Sequence, residues 1–228
     1  MIIEQITCTP FQQQTRVLGC ERTGRAVCVD PGEDAAEVVE ALERRGLGLQ
    51  AITLTHAHMD HIGGVAALKR ARPSAEIILH EADEPLYHSL PRQPSWVGIP
   101  PAQWSRLGFD YEPPPPVERH WQDGETYRVG DLEFRVIHCP GHTPGHVVLF
   151  EPNERKIFVG DCLFAGSIGR TDLPGGSIEQ LLDSLLNRIL TLGDDVVVYS
   201  GHGPETTLGR ERLTNPFLTG GLAAGRYL

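Results

Sequence analysis

The chain has 228 residues, of which 40% are hydrophobic and 22% charged, so it can build one large or two small domains around a substantial core. Acidic residues outnumber basic ones by 30 to 20, and this net charge of −10 argues against a nucleic-acid partner. We find neither a signal-peptide pattern in residues 1–14 nor an apolar run of the roughly 18 residues that span a membrane. The five cysteines show no paired spacing, which is typical of free thiols in a reducing cytoplasm.

The first 80 residues alternate between strand-like and helix-like segments. The predicted strands are 16–21 and 26–30, joined as a hairpin at Thr23-Gly24, then 51–55 and 77–79. The predicted helices are 34–45, with Asp34 as N-cap and Gly46 as C-cap, and 62–71. This alternation of strand, helix and strand predicts an α/β architecture.

Residues 82–125 differ from the rest of the chain, because they are rich in proline and contain all three tryptophans. Proline at this density excludes a long regular element. Two interpretations stay open: a surface excursion that packs its own aromatic side chains, or a wall of the substrate cleft.

From residue 127 onwards the strand pattern returns, and we treat residues 1–228 as a single domain. The predicted strands are 132–137, 146–151, 156–160 and 196–200, with a hairpin turn at 152–155. The clearest helix is 177–192, which opens with a Ser177/Gln180 capping box and ends at Gly193. Its apolar stripe indicates a core element and implies no cofactor.

Metal-ligand residues are concentrated in the stretch LTHAHMDHIGG. His56 and His58 are two positions apart, so in an extended segment their imidazoles share a face and can reach one metal. Asp60 and His61 follow just before the predicted helix and can turn towards a second metal. Three histidines and a carboxylate suit a divalent ion such as zinc, iron or manganese.

Three further candidate ligands lie far away in the sequence, each after a short strand-like run. They are His142 in HCPGHTPGH, Asp161 in FVGDCLF and His202 in YSGHGP. Loops that follow strands can present polar side chains from a rigid sheet.

The motif HxHxDH followed by a His, an Asp and a His in this order resembles the metallo-β-lactamase superfamily, over nearly the whole chain. That resemblance implies a four-layer αββα sandwich. Within the superfamily, GRTDLPGG at 169–176 and GHGPETTLGRERLTNPFL at 201–218 resemble the glyoxalase II group of hydroxyacylglutathione hydrolases. The chain resembles a short form of that group without the C-terminal helical domain.

The resemblance also implies a role for each candidate ligand. The first metal would be bound by His56, His58 and His142, and the second by Asp60, His61 and His202, with Asp161 bridging both. Zinc is the expected metal, with iron and manganese as alternatives. The implied reaction is hydrolysis of S-lactoylglutathione or a related small acyl thioester by a metal-bridging hydroxide, with Asp60 and Asp161 as the catalytic carboxylates.

Three other residues near these motifs each have two interpretations. Cys162 is a metal ligand or, as we favour, a buried structural thiol. His146 orients a ligand or simply packs. Arg170 binds a substrate carboxylate or forms a salt bridge with Asp172.

Two other functions remain as alternatives. Persulfide dioxygenases share HxHxDH and GRTD but use one iron, and they continue GRTD with a glutamine-rich segment where this chain has Leu-Pro-Gly-Gly at 173–176. A non-catalytic metal-binding module is disfavoured by the complete ligand set. The cytoplasmic signature argues against β-lactam hydrolysis, and the sequence does not set the oligomeric state.

Overall fold

The computed structural model describes residues 1–220. The chain divides into two compact units, one formed by residues 1–121 with 128–133 and the other by 122–127 with the residues from 134 onwards. The single-domain assignment from the sequence stays a prediction.

The first unit contains a six-stranded mixed sheet with the strand order β1-β2-β3-β4-β5-β6. β1 and β2 pair antiparallel, as do β2 and β3, whereas β3 to β6 are parallel. The strands are β1 Ile2–Cys8, β2 Gln13–Gly19, β3 Arg25–Val29, β4 Gly48–Thr53, β5 Glu76–Leu79 and β6 Arg119–His120. The helices are α1 Ala35–Arg45, α2 Met59–Ile62, α3 Val65–Ala71, α4 Glu84–His88, α5 Gln93–Trp96 and α6 Trp104–Leu107.

The sequence predicted both ends of α1 but not the way in which its N-terminus is capped. Gly46 adopts a left-handed conformation (φ 63°) and its N–H bonds the carbonyls of Leu42 and Glu43, as expected for a glycine C-cap. Asp34 is the N-cap residue, as predicted, but it has a positive φ of 47° and its side chain makes no capping hydrogen bond. In this conformation the carboxylate is not placed over the first-turn N–H groups.

The predicted helix 62–71 is interrupted at Gly63-Gly64, between α2 and α3. A Cβ on Gly63 would lie 2.5 Å from the Gly32 carbonyl oxygen, and one on Gly64 would lie 2.9 Å from the Pro31 carbonyl oxygen. Both positions therefore require glycine, because the turn at 31–32 packs directly on this backbone.

The second unit contains another six-stranded mixed sheet, with the strand order β14-β13-β10-β9-β8-β7. The end of β7 and the start of β8 lie within residues 128–133, which are grouped with the first unit. β10 and β13 pair parallel, while β8, β9 and β10 are antiparallel. The strands are β7 Thr126–Val129, β8 Leu132–His138, β9 Val147–Glu151, β10 Lys156–Gly160, the small hairpin β11 Leu163–Phe164 and β12 Ser167–Ile168, β13 Val197–Ser200 and β14 Thr206–Thr207.

Three α-helices accompany this sheet: α7 Ile178–Ser184, α8 Leu208–Thr214 and α9 Pro216–Thr219. The predicted helix 177–192 begins as expected, since the Ser177 hydroxyl accepts the Gln180 N–H at 3.3 Å. After Ser184 it continues as a turn of π-helix over Leu185–Ile189 and a turn of 3₁₀-helix over Leu190–Leu192. Its apolar stripe is buried in the core of the unit, as predicted. Among residues 1–220, no helix combines the length and hydropathy that crossing a bilayer requires.

The core of the second unit supplies a test of this packing. Leu181 is fully buried, whereas Leu213 on α8 is 76% exposed. We expect Leu181→Ala to lower the free energy of unfolding by about 2–5 kcal/mol, because it leaves a cavity. Leu213→Ala should change it by no more than about 0.5 kcal/mol. Denaturant unfolding of the two variants measures the difference, and equal losses would contradict this assignment of the core.

Candidate metal centre

The first unit places His56 and His58 on a loop that follows β4, and Asp60 and His61 on α2. His58 has an extended backbone (φ −77°, ψ 149°) and α2 begins at the next residue, so the two-residue spacing lies on a non-helical segment, as expected. The rings of His56 and His58 meet edge to face with centroids 4.9 Å apart, and those of His56 and His61 are 4.1 Å apart. Asp60 Oδ2 lies 4.0 Å from His61 Nε2.

A buried carboxylate holds this loop in position. Asp30, directly after β3, accepts the Thr55 N–H at 2.7 Å on Oδ1 and the Thr55 hydroxyl at 2.6 Å on Oδ2. Its Oδ2 also lies 3.0 Å from His61 Nδ1. The Thr55 oxygen, in turn, is 3.0 Å from His56 Nδ1.

These contacts determine the tautomers of two predicted ligands. A carboxylate only accepts, so His61 Nδ1–H donates to Asp30. Because the Thr55 proton goes to Asp30, the Thr55 oxygen is the acceptor for His56 Nδ1–H. Both rings therefore carry the lone pair on Nε2, the arrangement typical of metal-binding histidine.

Asp30 is a functional residue that the sequence analysis missed. Its oxygens lie close enough to the nitrogens of His56 and His61 for a three-ligand group. However, they are engaged by Thr55 and His61 Nδ1, so we assign Asp30 to orienting the ligands. The sequence does contain a signal for Asp30, because it directly follows a buried strand, as His142, Asp161 and His202 follow theirs.

The proline-rich segment clamps the backbone around His58. Asp83 Oδ2 accepts the Ala57 N–H at 3.1 Å. Gln93 accepts the Met59 N–H at 2.8 Å and donates to the Ala57 carbonyl, also at 2.8 Å. Asp83 and Gln93 are buried, and nothing in their sequence pattern marked them.

The segment also packs its own aromatic residues, as one of the two interpretations expected. The Tyr87 hydroxyl donates to the Pro115 carbonyl and the Trp104 indole to the Ile99 carbonyl. The segment is therefore not only an excursion, since it also fixes the ligand loop. Its role as a cleft wall stays a prediction.

The second unit brings its three predicted ligands together. His142 follows β8, Asp161 follows β10 and His202 follows β13. Asp161 Oδ2 lies 3.9 Å from His142 Nε2 and 3.4 Å from His202 Nε2. One carboxylate thus reaches two imidazoles.

Backbone contacts orient these ligands too. His142 Nδ1–H donates to the Arg170 carbonyl at 2.7 Å, which leaves the lone pair on Nε2. The Asp161 N–H donates to His146 Nε2 at 3.2 Å, so the structure favours the interpretation that His146 orients a ligand. A Cβ on Gly169 would lie 1.9 Å from the Asp161 carbonyl oxygen, which explains the glycine before Arg170.

Cys162 lies in the core of the second unit and is fully buried. Burial raises the pKa of the Cys162 thiol well above its usual range, and a hydrogen bond between the Cys162 and Cys139 thiols acts in the same direction. Donor atoms of Cys139, His146 and Cys162 lie within 4.8 Å of one another. Because His146 Nε2 is engaged by the Asp161 N–H and Cys162 lies in the hydrophobic core, we keep the interpretation of Cys162 as a structural thiol, which stays a prediction.

Arg170 forms the predicted salt bridge with Asp172, one of its two interpretations. Its guanidinium binds the Asp172 carboxylate through two hydrogen bonds, at 2.7 and 2.8 Å. This pairing lowers the pKa of Asp172 to about 2. The Arg170 side chain is 52% exposed, and contact with a substrate stays a prediction.

The residues present fit divalent metal ions. Each unit offers imidazole nitrogens and carboxylate oxygens, which zinc, iron and manganese accept. The lone pairs of His56, His61 and His142 are fixed on Nε2 by hydrogen bonds at Nδ1. Such fixing is expected at metal sites.

Comparison with known proteins identifies the family. The sequence profile of the metallo-β-lactamase superfamily matches residues 9–202, and the chain belongs to this superfamily. It is 36% identical over 224 residues to the hydroxyacylglutathione hydrolase GloC of Haemophilus influenzae, covering 96% of this chain and 98% of that protein. The superfamily binds divalent metals and includes hydrolases.

Two solved structures are similar over almost the full chain. The BLEG-1 B3 metallo-β-lactamase is 37% identical with a TM-score of 0.84, covering 96% of this chain and 100% of that one. TTHA1623 in a di-iron-bound form is 39% identical with a TM-score of 0.79, covering 94% and 100%. These similarities and the two mixed sheets confirm the predicted α/β fold of metallo-β-lactamase type.

The Gln93 clamp makes a prediction about metal retention. Gln93→Leu removes both hydrogen bonds to the backbone around His58, so we expect zinc affinity to fall about 10-fold or more, the scale typical of groups that support metal ligands. Gln50→Leu is the matched control, because Gln50 donates to the Arg128 carbonyl away from the ligand loop. Competition with a chromophoric chelator measures both variants, and equal affinities would contradict the role of the clamp.

Proposed function

We propose that this member of the metallo-β-lactamase superfamily is a binuclear metal-dependent hydrolase of acyl thioesters. The proposed substrate is S-lactoylglutathione or a related small acyl thioester. The similarity to GloC along almost the whole chain supports this substrate class. The cytoplasmic location and the lack of a nucleic-acid or membrane partner remain predictions from composition.

The seven ligands implied by the sequence form, in this proposal, one centre for two ions. One ion would be held by His56, His58 and His142 and the other by Asp60, His61 and His202, and Asp161 would serve both. The observation that carries the proposal is the position of Asp161, whose Oδ2 lies within 3.9 Å of both His142 Nε2 and His202 Nε2, the histidines assigned to different ions. A carboxylate has oxygens enough to serve two cations.

We propose zinc as the native metal, with iron and manganese as alternatives. TTHA1623 was crystallised in a di-iron-bound form, which supports two ions on this fold. Elemental analysis of the purified protein is expected to give close to two ions per chain. No more than one bound ion after supplementation would contradict the binuclear proposal.

When bound, the two ions supply a hydroxide nucleophile at neutral pH and polarise the thioester carbonyl. The chain's own residues prepare the site for this chemistry. Asp30 and Thr55 hold His56 and His61 with Nδ1–H as the hydrogen-bond donor, and the Arg170 carbonyl does the same for His142. The ligand geometry is thus set by the fold before any substrate binds.

One other reaction class is supported by a specific observation. The similarity to the BLEG-1 B3 metallo-β-lactamase makes hydrolysis of a β-lactam amide the second candidate. Both reactions add water at a carbonyl carbon and break an acyl bond, C–S in the thioester and C–N in the β-lactam, so the proposed centre suits either. An assay of one chromogenic β-lactam beside the thioester separates them, and we expect the thioester to be the better substrate by kcat/KM.

The second-metal ligand Asp60 distinguishes a hydrolase from the alternative mononuclear iron dioxygenase. In our assignment a mononuclear centre would use His56, His142 and Asp161 and would not need Asp60. We expect Asp60→Ala to cut kcat/KM for thioester hydrolysis by at least about 100-fold, the scale of losing a Lewis acid worth several kcal/mol. We also expect the iron-loaded wild type to consume no oxygen with glutathione persulfide.

The control for this experiment is Asp131→Ala. Asp131 pairs with Arg22 on the surface of the same unit, so its loss should leave hydrolysis unchanged. Absorbance at the thioester band and an oxygen electrode give the two readouts. Oxygen uptake that survives Asp60→Ala, in a protein with no hydrolytic activity, would replace the hydrolase by an oxygenase.

A further inference from the structure

A buried polar network lies beneath the turn that carries Asp30. Gln13 and Thr15 on β2 are both 0% exposed, which is unusual for side chains with an amide and a hydroxyl. Buried polar groups of this kind are costly unless each is hydrogen-bonded, so their partners indicate what the network does.

Thr15 links the two ends of the Asp30-Pro31-Gly32 turn. Its hydroxyl donates to the Asp30 carbonyl at 2.8 Å and accepts the Gly32 N–H at 3.1 Å. Gln13 Nε2 also donates to the Asp30 carbonyl, at 3.0 Å, while its Oε1 lies 3.1 Å from the Thr15 hydroxyl. The Asp30 carbonyl is thus held by two side chains of one strand.

The turn needs this support, because Asp30 has a left-handed backbone with φ 51°. Non-glycine residues in that region are strained and persist only where the surroundings over-determine them. Asp30 in this conformation directs its carboxylate to Thr55 and His61. Gly32 packs so tightly that a Cβ would lie 2.1 Å from the Asp60 carbonyl oxygen.

We propose that Thr15 and Gln13 are positioning residues of the metal centre. They fix the Asp30 turn, and through it the tautomers and orientation of His56 and His61. This inference rests on the proposed metal centre, although it does not depend on the identity of the substrate.

A competing explanation is that Thr15 only satisfies a buried backbone carbonyl. Thr53 provides the comparison, because it is also 0% exposed and its hydroxyl donates to the Cys28 carbonyl at 3.2 Å. Both are threonines inside the same sheet. Of these two hydroxyls, that of Thr15 bonds the Asp30 turn and that of Thr53 does not.

The test compares Thr15→Val, Thr15→Ser and Thr53→Val in the full chain. Valine keeps the shape and removes the hydroxyl, whereas serine keeps the hydroxyl and removes the methyl group. Each protein is stripped with a chelator, its apo stability is measured by denaturant unfolding, and its zinc affinity is measured by competition with a chromophoric chelator. The absorption spectrum of the cobalt-loaded protein reports ligand geometry.

We expect Thr15→Val to weaken zinc affinity about 10-fold or more and to alter the cobalt spectrum. Thr53→Val should change zinc affinity by about twofold at most, whatever its effect on apo stability. Thr15→Ser should retain near-wild-type affinity and spectrum even if its apo stability falls. Equal weakening by Thr15→Val and Thr53→Val, or failure of serine to rescue, would overturn the inference.

If Thr15→Val does not fold, Gln13→Met provides the second route. It removes the amide donor to Asp30 while filling a similar volume, so the expected result is again a lower zinc affinity and an altered cobalt spectrum. Wild-type affinity in Gln13→Met would overturn the inference. A wild type that binds two ions but cleaves no thioester would sink the proposed function alone, whereas an active wild type with an unaffected Thr15→Val would sink this inference alone.

Discussion

The Asp30 carboxylate is the interaction on which the HxHxDH half of the site depends. Its two oxygens accept from a backbone N–H, a hydroxyl and an imidazole, and so fix one loop in three places. Hydrogen bonds to a charged acceptor are among the strong ones in proteins. Because Asp30 stands at the end of β3 and the loop follows the adjacent strand β4, the parallel pairing of those strands brings carboxylate and loop together.

In the second unit, different groups orient the candidate ligands. His142 is oriented by the Arg170 carbonyl, and the backbone of Asp161 by a side-chain nitrogen of His146. The GRTD motif therefore has a structural role that does not require its arginine to touch substrate. The backbone of this motif holds a ligand, while the Arg170 side chain pairs with Asp172. A motif can thus mark a family through its main-chain geometry.

The sequence predicted those parts of the site whose residues lie close together in the chain or follow clear strand patterns. The ligands stand out because HxHxDH is compact and because the other three follow strands with clear apolar patterns. The supporting residues do not stand out. Gln93 and Asp83 act from a proline-rich segment about 25 to 35 positions after the backbone groups they bind, and only the fold brings them there.

At Asp34 and in the predicted helix 62–71, a local sequence rule gave a structural feature that the folded chain does not have. Asp34 follows the turn that carries Asp30 and Gly32, and at the N-cap position its left-handed backbone leaves the side chain without a capping hydrogen bond. The same turn presses against Gly63 and Gly64 and interrupts the helix. Both departures therefore lie where the backbone is shaped for the site, as expected where function competes with regular structure.

Each unit also contains one carboxylate that contacts ligands assigned to different ions. Asp30 reaches His61 directly and His56 through Thr55, and Asp161 reaches both His142 and His202. A shift of either carboxylate would change the geometry around both ions at once. If the proposed centre holds two ions, any coupling between their affinities would therefore be reciprocal. Such coupling would act through the shared carboxylates, for zinc, iron or manganese alike.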